Sequence, residues 1–135
     1  NDQARNAMLD YDAYYKAVNG QVNDLFYYYR EQAALKARQY QRALDDIVKA
    51  VELSPKDLTY RAEHAVVNLR VGRYEESMKI LNEILKDEPK YGEAYRLLGL
   101  CQIQLKKTDE ACGNFNKAKE LGDPNVDELI KKYCK

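Results

Sequence analysis

The strongest constraint on this chain is a period. Its only prolines, Pro55, Pro89 and Pro124, stand 34 and 35 residues apart, and the first two close similar phrases, VELSPKD and LKDEPKY. Sliding the sequence along itself by 34 places lays apolar and small residues on one another. Leu35 falls on Leu69 and Ile103, Ala43 on Ser77 and Ala111, Ile47 on Leu81 and Phe115, and Ala50 on Ile84 and Ala118. A fixed period of this length marks a repeat array, whose units bury their apolar faces on their neighbours. Within a unit the apolar residues return after three and four places, as Ala43, Ile47 and Ala50 do. That spacing lines one face of a helix.

Each unit therefore holds two helices. The spacing predicts them over 24–37 and 40–53, 58–71 and 74–87, and 92–105 and 108–121. No sustained polar–apolar alternation argues for a strand. The prolines mark the handover between units, because proline cannot continue a helix and pushes the residue before it out of the helical region. Asp57, just after Pro55, is placed to cap the next helix. Gly72 suits the tight turn inside the second unit, whereas the corresponding stretches KARQY and LKKTD have no glycine.

Composition narrows the function. The 135 residues carry 22 basic and 22 acidic side chains, a formal net charge of zero. Such a balance gives no pull towards nucleic acid or an anionic membrane. No run of 18 apolar residues is present, so no membrane-spanning helix is expected. The lone His64 has no second histidine to work with, and Ser54 and Ser77 are the only serines, neither in a nucleophile turn. No glycine loop suited to phosphate is found. A zinc set of Cys101, Cys112, Cys134 and His64 lacks any CxxC pairing. No catalytic residue, metal or cofactor is therefore expected.

These units resemble the tetratricopeptide repeat, a helix–turn–helix unit of about 34 residues. The third unit carries Tyr95, Leu98-Gly99, Ala111, Phe115 and Ala118 at the family's recurrent places. The first carries Tyr27, Tyr40, Ala43, Ala50 and Pro55; the second carries Tyr74 and Pro89, with Ser77 and Ala65 in small-residue slots. Glu31 departs from the pattern by standing where the family has a close-packing glycine. A carboxylate there needs a partner, and the expectation is that it reaches the helix edge. Ala111 is expected to sit against Gly99.

The resemblance implies an all-α fold, a right-handed α-solenoid of three helix pairs with an N-terminal helix and a C-terminal capping helix. The expected division is 1–23 for the N-terminal helix or half repeat, 24–57, 58–91 and 92–124 for the repeats, and 125–135 for the cap. Asp123 and Pro124 look like the N-cap and first position of that last helix. The N-terminal stretch either covers the first unit or belongs to a longer array. The cysteines are either small core residues or include a disulfide, for which Cys112 and Cys134, on neighbouring antiparallel helices, are the favoured pair. The chain starts at Asn1 rather than Met. Export after removal of a leader is one expectation from this, a cytoplasmic protein the other.

The family binds protein partners and does no chemistry. Its concave groove, carried over residue by residue, falls on Tyr28, Gln32 and Leu35, on Ala62, Val66, Leu69 and Arg70, and on Arg96, Leu100, Ile103 and Gln104. Arg70 and Arg96 form a basic pair beside an apolar floor. The clamp with which some relatives hold a chaperone's terminal carboxylate needs Lys and Asn at places that here hold Tyr28, Gln32, Glu63, Glu93 and Leu97. The expected function is thus an adaptor for a peptide or helix that is not a chaperone tail; the alternative is a self-assembling structural module, such as a homodimer. In FYYYRE, Tyr27 takes the packing slot, which leaves Tyr28 or Tyr29 either for solvent or a partner or for packing against the N-terminal helix.

Overall fold

A computed structural model describes residues Asn1–Lys135 in full. It holds eight α-helices and no strand: α1 (Asp2–Ala17), α2 (Asp24–Lys36), α3 (Tyr40–Leu53), α4 (Leu58–Arg70), α5 (Tyr74–Asp87), α6 (Gly92–Gln104), α7 (Thr108–Glu120) and α8 (Asp127–Tyr133). The helices α2 to α7 begin and end within one residue of the spans that the spacing predicts. The fold class is all-α, of the helix-pair repeat kind. Two compact units can be distinguished, Asn1–Val67 and Asn68–Lys135, with the division inside α4.

In the first unit, α3 turns Ala43, Ile47 and Ala50, all fully buried, towards a core that also holds Ala34 and Leu35 of α2. The helix α1 joins through Met8, which is 1% exposed. Arg30 of α2 pairs with Asp46 of α3 through two short contacts, Nε to Oδ2 at 2.9 Å and Nη2 to Oδ1 at 2.8 Å. Asp12 of α1 pairs with Arg42 of α3 and lies 3.5 Å from Arg30. Asp24 opens α2, and its Oδ2 accepts from the Ser54 hydroxyl at 2.9 Å and the Tyr60 hydroxyl at 3.0 Å. Those two donors hold the Asp24 carboxyl below the usual range. The helix starts are capped as their sequences ask: Asn23 accepts from Phe26 N–H at 3.0 Å and Asp57 from Tyr60 N–H at 3.1 Å.

In the second unit, α7 buries Ala111, Phe115 and Ala118 fully. Phe115 meets Gly99: a Cβ on Gly99 would stand 2.3 Å from Phe115 Cε1. The large ring at the second step of the α7 stripe reaches across to α6. The end of the chain covers this cluster with Val126, Leu129, Ile130 and Tyr133. The Phe115 and Tyr133 rings stack at 6.4 Å. The expected cap geometry needs correction. Asp123 is not an N-cap; it binds Arg96 Nε at 3.0 Å and the Asn125 N–H at 2.7 Å, and α8 starts only at Asp127. The bond to Arg96 holds the Asp123 carboxylate on α6 and delays the helix.

The three tight turns share one hydrogen bond. Gln39 N–H donates to Ala34 O, Arg73 N–H to Asn68 O and Lys107 N–H to Gln102 O, each at 2.8 Å. This closure requires a left-handed residue just before the donor. Gly72 fills it at φ 86°, but Arg38 (60°) and Lys106 (62°) fill it without a glycine.

Candidate functional site

The residues expected to line a partner groove divide by exposure. In the first unit Tyr28, Gln32 and Val66 are partly exposed. Leu35 and Ala62 are only 7% and 2% exposed, so they cannot present themselves to a partner. Leu35 belongs to the cluster with Ala34, Ala43, Leu44 and Ile47. Ala62 carries a single methyl, which neighbouring side chains cover. Tyr28 rests on Tyr60, with ring centroids 5.2 Å apart, and burial raises its hydroxyl above the usual pKa. Tyr29 is the half-exposed member of the tyrosine run.

In the second unit Leu69, Leu100 and Ile103 are partly exposed, while Arg70 and Gln104 are open. Leu100 and Ile103 lean on the Phe115 cluster with part of their surface. Arg96 is not the open cation that the sequence implied. Its guanidinium is held by Asp123 at 3.0 Å and Glu93 at 3.7 Å, with 16% of the side chain exposed. Of the expected basic pair, Arg70 alone is exposed.

Glu31 contradicts its expectation. It is fully buried rather than at the helix edge. No donor group bonds to either carboxylate oxygen; its neighbour is a second carboxyl, Glu63, so a hydrogen bond between them needs a proton on one. Burial first, then Glu63 and the charge of Asp46, push Glu31 up to about 10. At neutral pH Glu31 is a neutral acid.

The cysteines divide. Cys112 and Cys134 form a disulfide, with Cα atoms 5.8 Å apart, and Cys101 is a fully buried thiol. His64 is partly exposed on α4. No three His, Cys, Asp or Glu side chains gather in a way that could hold a metal ion. No helix is long and apolar enough to cross a membrane.

One surface escaped the sequence reading. Between α1 and α2 runs an open groove lined by Ala7, Asp10, Tyr11, Tyr14, Leu25, Phe26 and Tyr29. It continues along Gln32 and Ala33 to Lys36. Tyr14, Leu25 and Tyr29 are 55%, 46% and 50% exposed there. Tyr11 meets Phe26 edge-on at 5.6 Å. Its signals in the sequence were the helical spacing in residues 2–19, whose phase is offset from the 34-residue period, and the tyrosine run that leaves Tyr28 or Tyr29 open.

Known proteins share this architecture. The solved structure of YrrB, described as a TPR protein with an unusual peptide-binding site, matches 97% of this chain and 67% of its own, with TM-score 0.79 and 20% identity. The first TPR of Spaghetti (RPAP3), bound to an HSP90 peptide, matches 82% of this chain and 90% of its own, with TM-score 0.71 and 19% identity. Heat shock protein STI1 of Saccharomyces cerevisiae is 31% identical over 101 residues, which are 72% of this chain but 17% of that protein. The small glutamine-rich tetratricopeptide repeat-containing protein 2 of Mycosarcoma maydis is 29% identical over 99 residues, 73% of this chain and 28% of that protein. The chain thus spans under a third of the length of these two relatives. A family model described as tetratricopeptide repeat matches residues 32–87 and again 63–126, so the chain belongs to the tetratricopeptide repeat family.

Proposed function

We propose that the chain is a non-catalytic adaptor that binds a peptide or helix on the open sides of its first helices. The observation that carries this reading is the part-exposure of Leu69 on α4 and of Leu100 and Ile103 on α6, a helix that otherwise buries Leu97, Leu98 and Cys101. Apolar side chains held open on a rigid helix favour a protein partner. Arg70 and Gln104 supply polar contacts at the edge; the first unit has its own partly exposed set, Tyr28, Gln32 and Val66. In this reading the repeats run 24–57, 58–91 and 92–124. The match to TPR domains described as bound to HSP90 and HSP70 peptides supports peptide binding as the class of activity.

The bound segment is not held by its terminal carboxylate. At the clamp positions Glu63 and Glu93 repel a carboxylate, and Leu97 is buried. The disulfide supports an oxidising compartment. Two measurements test the reading. Affinity capture with wild type, Leu69→Asp and Ile103→Asp as baits should give proteins held by the wild type and lost by both variants, with unchanged circular dichroism. Retention by both variants removes the face from consideration. The peptide SRMEEVD and its C-terminal amide should bind alike; a marked preference for the free acid would restore the tail clamp.

A further inference from the structure

The end of α1 repeats the closure of the tight turns, with two unusual residues. Gly20 N–H donates to Tyr15 O at 2.9 Å, and Asn19, just before the donor, is left-handed at φ 53°. Asparagine is among the few residues with a side chain that accept this conformation readily. Gly20 is left-handed as well, at φ 74°. It is also covered: a Cβ there would stand 3.0 Å from the Tyr15 hydroxyl and 3.1 Å from Tyr15 Cζ. The Tyr15 ring in turn carries the Arg30 guanidinium, 5.0 Å from its centroid. Two separate demands of the fold thus place asparagine directly before glycine.

That dipeptide is chemically labile. When the glycine nitrogen loses its proton, it attacks Cγ of the asparagine side chain. A C–N bond forms, the bond to the side-chain nitrogen breaks, and ammonia leaves a five-membered succinimide. Water then opens the ring at either carbonyl, giving aspartate or isoaspartate. Glycine leaves the attacking nitrogen unhindered, and every other asparagine of the chain precedes a residue with a side chain. Asn19 is exposed, so water reaches it. The closed turn opposes the reaction twice. Gly20 N–H is engaged with Tyr15 O. A left-handed residue, with ψ of about +47°, also points the next nitrogen away from its own Cβ. Attack therefore requires the end of α1 to open. Little holds that end: Ala4 and Met8 are the buried residues of α1, and Asp12 pairs with Arg42 and Arg30.

We propose that Asn19 is a self-modification site, at which opening of the α1 terminus is converted into a permanent change. Isoaspartate places Cβ in the main chain between Asn19 Cα and Gly20, so the Gly20 N–H no longer lines up with Tyr15 O. Either product adds a negative charge at a helix C-terminus, where the helix dipole disfavours it. Both effects loosen the last turn of α1 and the seat of Tyr15. This concerns the integrity of the first unit and stands apart from the partner-binding reading.

The test follows residues 17–22 by peptide mapping during incubation at mildly alkaline pH, with isoaspartate told from aspartate by fragmentation across the inserted carbon. The folded wild type should convert at Asn19, at a rate about tenfold or more below that of the free peptide Ala17–Val22. Met8→Ala, which weakens the anchorage of α1, should bring the rate closer to that of the peptide. Asp12→Asn, which removes the pairs to Arg42 and Arg30, takes its place if Met8→Ala does not fold. Hydrogen exchange on the converted chain should show faster amides in the last turn of α1, with α3 unchanged. Asn19→Gln, which would have to close a larger ring, should neither convert nor gain exchange in the same incubation. Four results overturn the proposal: conversion of the folded chain at the peptide's rate, no conversion at Asn19 while the peptide converts, equal rates in the wild type and the weakened variant, or unchanged α1 exchange after conversion.

Discussion

Gly99 lies beneath the ring of Phe115, where a Cβ would stand 2.3 Å from Cε1 and 2.5 Å from Cδ1. Phe115 is fully buried and stacked on Tyr133, so it cannot swing aside. Gly99→Ala sets two effects against each other. Alanine in a helix gains roughly 0.5–1 kcal/mol over glycine. Overpacking a closed site costs about 1–3 kcal/mol. The clash wins, and thermal melting should show a net loss. Gly113, on α7, has nothing within 4 Å of the added atom. There only the propensity acts, and Gly113→Ala should raise the melting temperature. Equal shifts for the two variants would show that Phe115 does not constrain residue 99.

Glu31 makes stability depend on pH in the direction opposite to a paired carboxylate. Its folded value of about 10 lies above the unfolded value of roughly 4.3. The folded chain therefore keeps a proton that the unfolded chain releases. Stability is greatest below the lower value and falls as the pH rises through the window between them. Glu31→Gln keeps the shape and removes the titration, and its amide can donate to Glu63. Melting temperatures from pH 6 to pH 9 should fall less steeply for Glu31→Gln than for the wild type. Parallel curves would mean that Glu31 is ionised when folded.

How far the sequence could be read follows from which forces act locally. The helix pairs were legible because each second helix repeats one short stripe, Ala43-Ile47-Ala50 and Ala111-Phe115-Ala118, at a fixed period. Burial of a carboxyl was not, since Glu31 sits in a helix-compatible sequence and only its tertiary neighbours close it off. Leu35 and Ala62 carried groove roles by position, but core packing claims them. Asp123 looks like a cap from its proline neighbour, and the competing partner Arg96 is 27 residues away. The α1–α2 groove was hidden by a two-residue change in link length, which shifts Ala7, Asp10, Tyr11 and Tyr14 out of the 34-residue phase.

The turns that lack glycine offer a gain in stability. Lys106 is exposed and held at φ 62°, a region that costs a side-chain-bearing residue about 1–2 kcal/mol. Glycine relieves this but adds freedom to the unfolded chain, worth roughly 0.4–1 kcal/mol in the other direction. The relief of strain outweighs the added freedom, so Lys106→Gly should unfold at higher denaturant concentration than the wild type. Gly72→Lys should do the reverse at φ 86°. A stabilising Gly72→Lys would contradict the shared turn geometry.

The disulfide ties α7 to the end of a short α8, a seven-residue helix with no fully buried residue of its own. Seven residues are too few for an isolated helix to persist. Its order rests on Val126 and Tyr133 at the Phe115 cluster and on the bond from Cys134 to Cys112. The sequence separation is 22 residues, and closing a loop of that size contributes about 3 kcal/mol through the lost entropy of the unfolded chain. Unfolded without reductant, the chain should show one reactive thiol, Cys101; with reductant it should show three. Reduction should lower the melting temperature of the wild type and leave that of Cys112→Ser/Cys134→Ser unchanged. Hydrogen exchange should then localise the loss, with amides of α8 opening first and those around Ala118 later. Three reactive thiols without reductant would show that the pair is not joined, and α8 would then depend on its apolar contacts alone.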